Sequence, residues 1–402
     1  MKILQINQNY NFGSTGKIMK DINDIIVECG EESYMLTAYA NGQADNLFVM
    51  ENLPLFWAIR KNILMTRITG LNGYGSKRMT RRAIQWIESI HPDIVHLHNI
   101  HGDWINLYEL FSYLKSAQIP IIWTLHDCWS FTGRCSYFDQ CRCDKWKTEC
   151  SSCPDLNIYP KSYFFDFSRK MFNDKKELFL GLDKLTIVTP SDWLGQYVKE
   201  SFLNKYPITT IHNGIDIQAF SKKDKNYYGL QNETRHIILG VAASWTERKG
   251  LSDFYKLHSL LDPQKFVVVV VGLSSIQMKK LPKGIVGISR TRNVEELAQL
   301  YTQASVFVNP TYQDNYPTVN LEAIACGTPV ITYNTGGSIE SVTDSTGIII
   351  PKGDIKKLVS AIQDICFSGE DYSDECINYA RNYFNKHDRY MDYIRLYHSI
   401  LS

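Results

Sequence analysis

"YQDNYPTVNLEAIACGTPV", residues 312–330, places two carboxylates, Asp314 and Glu322, on either side of a proline and a short apolar run. Thr318 reads as an N-cap, Val319 to Cys326 as a helix, and Gly327 with Pro329 as its stop. The first amides of such a helix lack intrahelical acceptors and carry a partial positive charge, which suits a phosphate. Pro317, Thr318, Val319, Asn320 and Leu321 form that mouth. Carboxylates beside a phosphate repel it, so Asp314 and Glu322 are expected to accept hydrogen bonds from hydroxyls. A ligand with hydroxyls on both sides of a phosphate is a nucleotide sugar.

Moving outward, the stretch lies between two β-branched runs, SVFVNP and PVITYN. The same alternation of short apolar runs with helical periodicity covers the chain and predicts parallel sheets covered by helices. In the first half the strands are KILQIN, SYMLTAY, DIVHLHN, PIIWTLHD and LTIVTPS. In the second they are TTIHN, HIILGVA, KFVVVVVG, GIVGIS, SVFVNP, PVITYN and GIIIPKG. Helices are expected over 79–89, 294–303 and 355–365. The boundary is placed at Pro190 to Asp192: residues 1–190 form an N-terminal domain with a cysteine-rich insertion near 128–154, residues 191–380 a nucleotide-sugar domain, and residues 381–402 a helix crossing back. The fold class is α/β.

With 402 residues the chain is long enough for two full cores. A net charge of +1 leaves no global basic footprint for nucleic acid. The start lacks a signal-peptide core, and the longest apolar run, FVVVVVGL, is too short to span a bilayer. A cytoplasmic location, or the cytoplasmic face of an inner membrane, is expected.

These motifs resemble the retaining glycosyltransferases of the GT-B fold, in the group called family 4. Asp314-x7-Glu322 stands where that family carries Glu-x7-Glu, followed by EAIACGTPVI; HNGID (212–216), ERKG (247–250), GSTGK (13–17) and HD (126–127) fall in family order. The resemblance implies two facing Rossmann-like domains with a donor cleft between them. It gives Glu322 the ribose hydroxyls, Asp314 the sugar hydroxyls, and Lys249 with Arg248 the diphosphate. Gly13, Ser14, Thr15 and Gly16 would approach the donor through their backbone, and His126 would lie beside the sugar ring. The chain departs from the family by an Asp for the first Glu and by Ser244 where an Arg is usual. The resemblance implies a front-face reaction without a catalytic divalent metal, from a UDP- or GDP-linked donor to a saccharide or lipid-linked acceptor in bacterial surface polysaccharide synthesis. The alternatives are a nucleotide-sugar 2-epimerase and a non-catalytic nucleotide-sugar-binding subunit. His98 and His101 are expected at the cleft edge, and His96 in the core.

Six of ten cysteines crowd into residues 128–153. Cys150-x2-Cys153 gives half of a tetrahedral thiolate site, and Cys135 with Cys143, or Cys141 as the alternate, gives the other half of a structural zinc site. Redox thiols and a disulfide are the competing readings. Finally, Arg60, Lys61, Arg67, Lys77, Arg78, Arg81 and Arg82 occur in a stretch without acids, interleaved with Phe56, Trp57, Ile63, Leu64, Met65 and Ile68. It reads either as an ordinary core helix with a solvated face or as a peripheral contact with anionic lipid.

Overall fold

The computed structural model describes residues 1–52, 57–224, 227 and 229–402, with backbone only for Trp57, Ala58 and Gln140. Phe56 and the Trp57 side chain therefore lie outside the described residues. The chain divides into two units: residues 1–212 with 390–402, and residues 213–389.

The first unit carries seven strands: β1 (Lys2–Tyr10), β2 (Glu32–Ala40), β3 (Leu47–Val49), β4 (Ile94–Leu97), β5 (Ile121–Thr124), β6 (Leu185–Thr189) and β7 (Ile208–Thr210). They pair in the order β3-β2-β1-β4-β5-β6-β7, all parallel. The second unit carries β8 (His236–Val241), β9 (Phe266–Val271), β10 (Val286–Ile288), β11 (Val306–Asn309), β12 (Val330–Tyr333) and β13 (Gly347–Ile350). Their order is β10-β9-β8-β11-β12-β13, also all parallel. Both are Rossmann-like: the winding reverses between β1 and β4 in one unit and between β8 and β11 in the other. At such a switch point the loops leaving the strand C-terminal ends diverge and open a ligand crevice.

Buried strands explain the apolar runs. All six residues of β9, FVVVVV, are buried because helices cover both faces of the sheet. One core of the first unit packs Trp104, Phe111, Trp123 and Phe179 on one face. On the other, Ile18, Ile22 and Ile26 meet Tyr390, Tyr393 and Tyr397. Helices begin at side-chain caps where the sequence supplies them. Asn293 accepts from Glu296 N–H at the start of Val294–Gln303, and Asp354 accepts from Lys357 N–H ahead of Ile355–Phe367.

Three expectations are corrected. TTIHN does not open the second sheet: Ile208 to Thr210 pair with Ile187 to Thr189 and extend the first. The boundary consequently falls between His212 and Asn213 rather than at 190/191. Residues 381–402 are not one helix either: Ser373–Tyr383 is followed by Lys386–Leu401, and the chain belongs to the first unit from Tyr390 onward.

Candidate active site

In the second unit the loops leaving β8 and β11 meet at one charged cluster. The turn Glu247–Lys249 follows β8, and residues 310–317 follow β11. Lys249 Nζ donates to Asp314 Oδ2, and Arg248 Nη1 lies 3.9 Å from the same oxygen while donating to the Gln313 carbonyl. Burial alone would push the Asp314 carboxyl up, but the Lys249 and Arg248 charges hold it below the usual carboxylate range. The ammonium keeps further N–H donors with which to meet a phosphate.

The helix that begins the quoted stretch runs Thr318–Ala325. Its N-cap is Pro317, without a side-chain cap bond, so Thr318 is the first helical residue rather than the cap. Proline has no N–H and tolerates the cap position. The amides of Thr318 and Val319 fall in the first turn, where no intrahelical acceptor exists. Asn320 is fully buried and anchors the mouth: it accepts from Asn309 Nδ2 at 2.8 Å and donates to the Ser338 carbonyl at 3.2 Å and Ser341 Oγ at 3.1 Å. Glu322 is held by Tyr301, whose buried hydroxyl donates to its Oε2 at 2.9 Å. Burial, then the adjacent carboxylate, push that phenol far above its ordinary value, so it stays a donor.

Gly336 sits at φ +56, and a Cβ there would lie 2.0 Å from the Asp314 carbonyl. The Gly337 N–H donates to that carbonyl at 3.1 Å. Only glycine fits, and it fixes the backbone that carries Asp314. Tyr301 and Gly336 were missed in the sequence because their partners lie far away along the chain.

In the first unit, the helix Gly13–Glu28 follows β1 directly. Gly13 and Ser14 are exposed at its start, Thr15 is half-buried, and Gly16 is buried where a Cβ would come within 3.1 Å of the Asn9 carbonyl. Gly16 thus lets the helix pack against the end of β1, while Gly13, Ser14 and Thr15 present its open first turn.

His126 follows β5 and stacks on His98, with ring centroids 5.4 Å apart. The tautomers follow from one amide. Gln5 Nε2 donates to the Met19 carbonyl, so Gln5 Oε1 accepts from His98 Nε2–H at 3.2 Å. His98 Nδ1 then accepts from His126 Nε2–H at 3.1 Å, which leaves His126 Nδ1 as an acceptor nitrogen. Burial lowers the His126 pKa to about 4 and holds His98 well below its ordinary value. His126 therefore offers a neutral dipole, not a charge. His98 and His101 are both buried and line one cavity with His126: His98 lies behind His126, and His101 between Asp127 Oδ2 and Tyr159 Oη, each at 3.2 Å. His96 is core as expected, bonded to Tyr397 Oη at 2.7 Å and Thr124 Oγ1 at 2.8 Å.

Residues 125–167 contain three single 3-10 turns, Trp129–Phe131, Asp139–Cys141 and Lys145–Lys147. Cys135, Cys141, Cys143, Cys150 and Cys153 line one cavity there, as free thiols. They are not gathered into a formed set: among the described residues no three of these sulfurs lie within 4.8 Å of one another. Cys153 Sγ turns to the Asp155 carbonyl (3.5 Å) and Cys141 Sγ to that of Phe138 (3.1 Å).

Two doubly wound units, one with a cationic loop and an open helix mouth at its switch point, have the build of GT-B glycosyltransferases. Two glycosyltransferase family domains together cover most of the chain. The family model "Glycosyltransferase Family 4" matches residues 63–219, and "Glycosyl transferases group 1" matches residues 235–366. The chain is 25% identical over 395 residues, 89% of each protein, to WcaC of Escherichia coli strain K12, whose name assigns it provisionally to colanic acid biosynthesis as a glycosyl transferase. Among solved structures it resembles sucrose-phosphate synthase from Thermosynechococcus elongatus, with a TM-score of 0.74 at 15% identity over 99% of this chain and 98% of that one. Anabaena HepE in complex with UDP-glucose aligns with a TM-score of 0.67 at 14% identity, over 99% of this chain and all of that one. At these identities the structures speak for the fold alone.

Proposed function

We propose that the protein is a retaining glycosyltransferase that moves a sugar from a nucleoside-diphosphate sugar to a saccharide or lipid-linked acceptor in bacterial surface polysaccharide synthesis. The observation that carries this is the convergence of Lys249, Arg248, Asp314 and the Thr318–Ala325 mouth at one switch point. The diphosphate lies on the first-turn amides and Lys249, where charge develops as it departs. Asp314 and Glu322 accept from hydroxyls of the sugar and the ribose. The acceptor oxygen bonds to the anomeric carbon on the face that the diphosphate leaves. The bond from that carbon to the phosphate oxygen breaks, and the departing phosphate takes the acceptor's proton. The products are a glycoside and a nucleoside diphosphate, with no metal in the step. The polysaccharide role in the name of WcaC supports the pathway type.

A lipid-linked acceptor fits a surface of the first unit. The segment Tyr163-Phe164-Phe165 is 53–73% exposed and is hydrogen-bonded to the end of the helix Trp57–Thr69, through Tyr163 N–H to the Arg67 carbonyl (2.7 Å) and Phe165 N–H to Ile68 (3.3 Å). That helix adds exposed Leu64 and Met65 with Arg60, Lys61 and Arg67. Apolar rings rimmed by cations suit an anionic lipid surface. The other half of the basic stretch is built differently. The helix Lys77–Ile90 buries Met79, Ala83 and Ile87, and Arg81 is paired bidentately with Glu109 at 2.8 and 2.9 Å. Among the described residues no helix is long and apolar enough to cross a membrane.

A panel of UDP- and GDP-sugars with purified protein tests the enzyme reading. The expected result is release of nucleoside diphosphate in step with a glycoside whose anomeric configuration, read by NMR, matches the donor. A product of opposite configuration would overturn the retaining step. Sugar epimerisation with no glycoside formed would select the epimerase, and binding without turnover the non-catalytic subunit.

A further inference from the structure

We propose that Cys135, Cys143, Cys150 and Cys153 bind one zinc ion as thiolates, and that this ion holds the irregular segment 125–167 together beside His126. The first observation is placement. Thiols separated by up to eighteen positions face one cavity, although their segment has only three 3-10 turns to organise it. Long stretches without regular structure inside a compact unit need an anchor other than backbone ladders. Aromatic packing supplies part of it: Trp146 is buried on Phe131 and Phe138. The cysteines lie at its open side.

The second observation is charge. Arg134 is 2% exposed, lines the same cavity, and has a buried Nε without a hydrogen-bond partner. Lys175 is 1% exposed; its Nζ donates to the Trp129 and Thr132 carbonyls at 2.6 and 3.1 Å and lies 3.6 Å from the Trp129 ring centroid. The nearby carboxylates are engaged elsewhere, Asp127 by His101 and Trp129 N–H, and Asp166 by the N–H groups of Cys153 and Ser168. The thiols thus stand beside two buried cations, whose nearby carboxylates, Asp127 and Asp166, are shared with these other donors. Four thiols that release four protons to solvent and bind Zn²⁺ become a centre of net charge −2, which both cations favour.

The third observation is a hydrogen bond that zinc thiolates use. Gly133 N–H donates to Cys150 Sγ at 3.1 Å. A Cβ on Gly133 would lie 2.8 Å from Cys150 Cβ, so glycine permits that approach. Cys141 is left out because its thiol closes the Asp139–Cys141 turn onto the Phe138 carbonyl, and only one residue separates it from Cys143. Cys153 joins by rotating its side chain from the Asp155 carbonyl toward the cavity.

The test is elemental analysis of the full-length protein purified from zinc-supplemented medium. About one zinc per chain is expected, falling below about a tenth in C135S, C143S, C150S or C153S and unchanged in C141S, the number a single tetrahedral site requires. Should the serine variants fail to fold, a mercurial titration of the parent replaces them, with zinc release to a colorimetric chelator tracking the loss of four thiols. Metal-free parent protein, one iron in place of zinc, or an intact mass showing disulfides among these cysteines would each overturn the assignment. Zinc lost in C141S but kept in C143S would overturn the ligand set.

Discussion

Replacing Lys249 by methionine keeps the apolar stem but strands the Asp314 carboxylate, which is only 13% exposed. At an effective dielectric constant of about 20, unit charges about 4 Å apart attract by about 4 kcal/mol. Arg248 remains 3.9 Å from the same oxygen and retains part of that attraction, so the expected loss is about 2 kcal/mol, below the usual cost of orphaning a buried charge. The pH dependence identifies the cause. In the parent the depressed Asp314 pKa contributes stability that is present above the ordinary carboxyl range and lost as pH falls through the folded value. In the variant burial, the largest influence on this group, is opposed only by Arg248 and the Asn315 N–H, and the carboxyl rises. The folded variant then takes up a proton before the unfolded chain does, so its deficit shrinks as pH falls from 7 toward 4. Urea unfolding followed by circular dichroism at several pH values measures this. A deficit of the same size at every pH would refute the ion-pair reasoning, whatever happens to turnover.

Glu322→Gln replaces a charged acceptor of ribose hydroxyls, a contact worth roughly 1.5–3 kcal/mol, so donor affinity by calorimetry should fall about tenfold or more. Tyr301→Phe should weaken it in the same direction but less, and unchanged affinity in both folded variants would sink the ribose assignment. His126, with its pKa lowered to about 4, should stay neutral with its proton on Nε2 across the working range; ¹⁵N NMR showing titration near 6.5 would contradict the buried relay. His126 thereby contributes stability that is complete above the ordinary histidine pKa and lost as pH falls toward 4. Changing Arg60 and Lys61 to Glu should release the protein from anionic vesicles, since each basic residue contributes about 1 kcal/mol there. Arg78→Glu on the neighbouring core helix should matter less, and equal losses from both helices would move the lipid surface elsewhere.

Much of this was readable before any coordinates. The 312–330 stretch, the strand alternation and GSTGK after the first strand depend on local signals, so two Rossmann-like units and an open helix mouth beside Asp314 followed from them. What failed depended on pairing at a distance. TTIHN reads equally well as the last strand of one sheet or the first of another, and only its ladder with Ile187 to Thr189 decides. Glu109 neutralises Arg81 from 28 positions away, which no charge count over 60–82 can register. His98 alternates like any strand residue, and its bond to His126 appears only when β4 and β5 lie in adjacent places.

The tyrosines of the C-terminal helix have a consequence for the order in which the molecule can be made. The first unit is discontinuous in sequence, whereas residues 213–389 are contiguous. During synthesis the amino-terminal sheet emerges first yet lacks the partners of Ile3, Ile94 and Ile122, and of His96 Nδ1, until residues 390–402 arrive. The second unit can be complete before the first one is. A chain cut short by a few turns of helix would thus hold a finished second unit and an unfinished first one, with an apolar face exposed for chaperones and proteases to find. Translation through residues 390–402 becomes a condition for a stable His98–His126 relay, because Tyr397 holds His96, whose ring centroid lies 4.1 Å from that of His98.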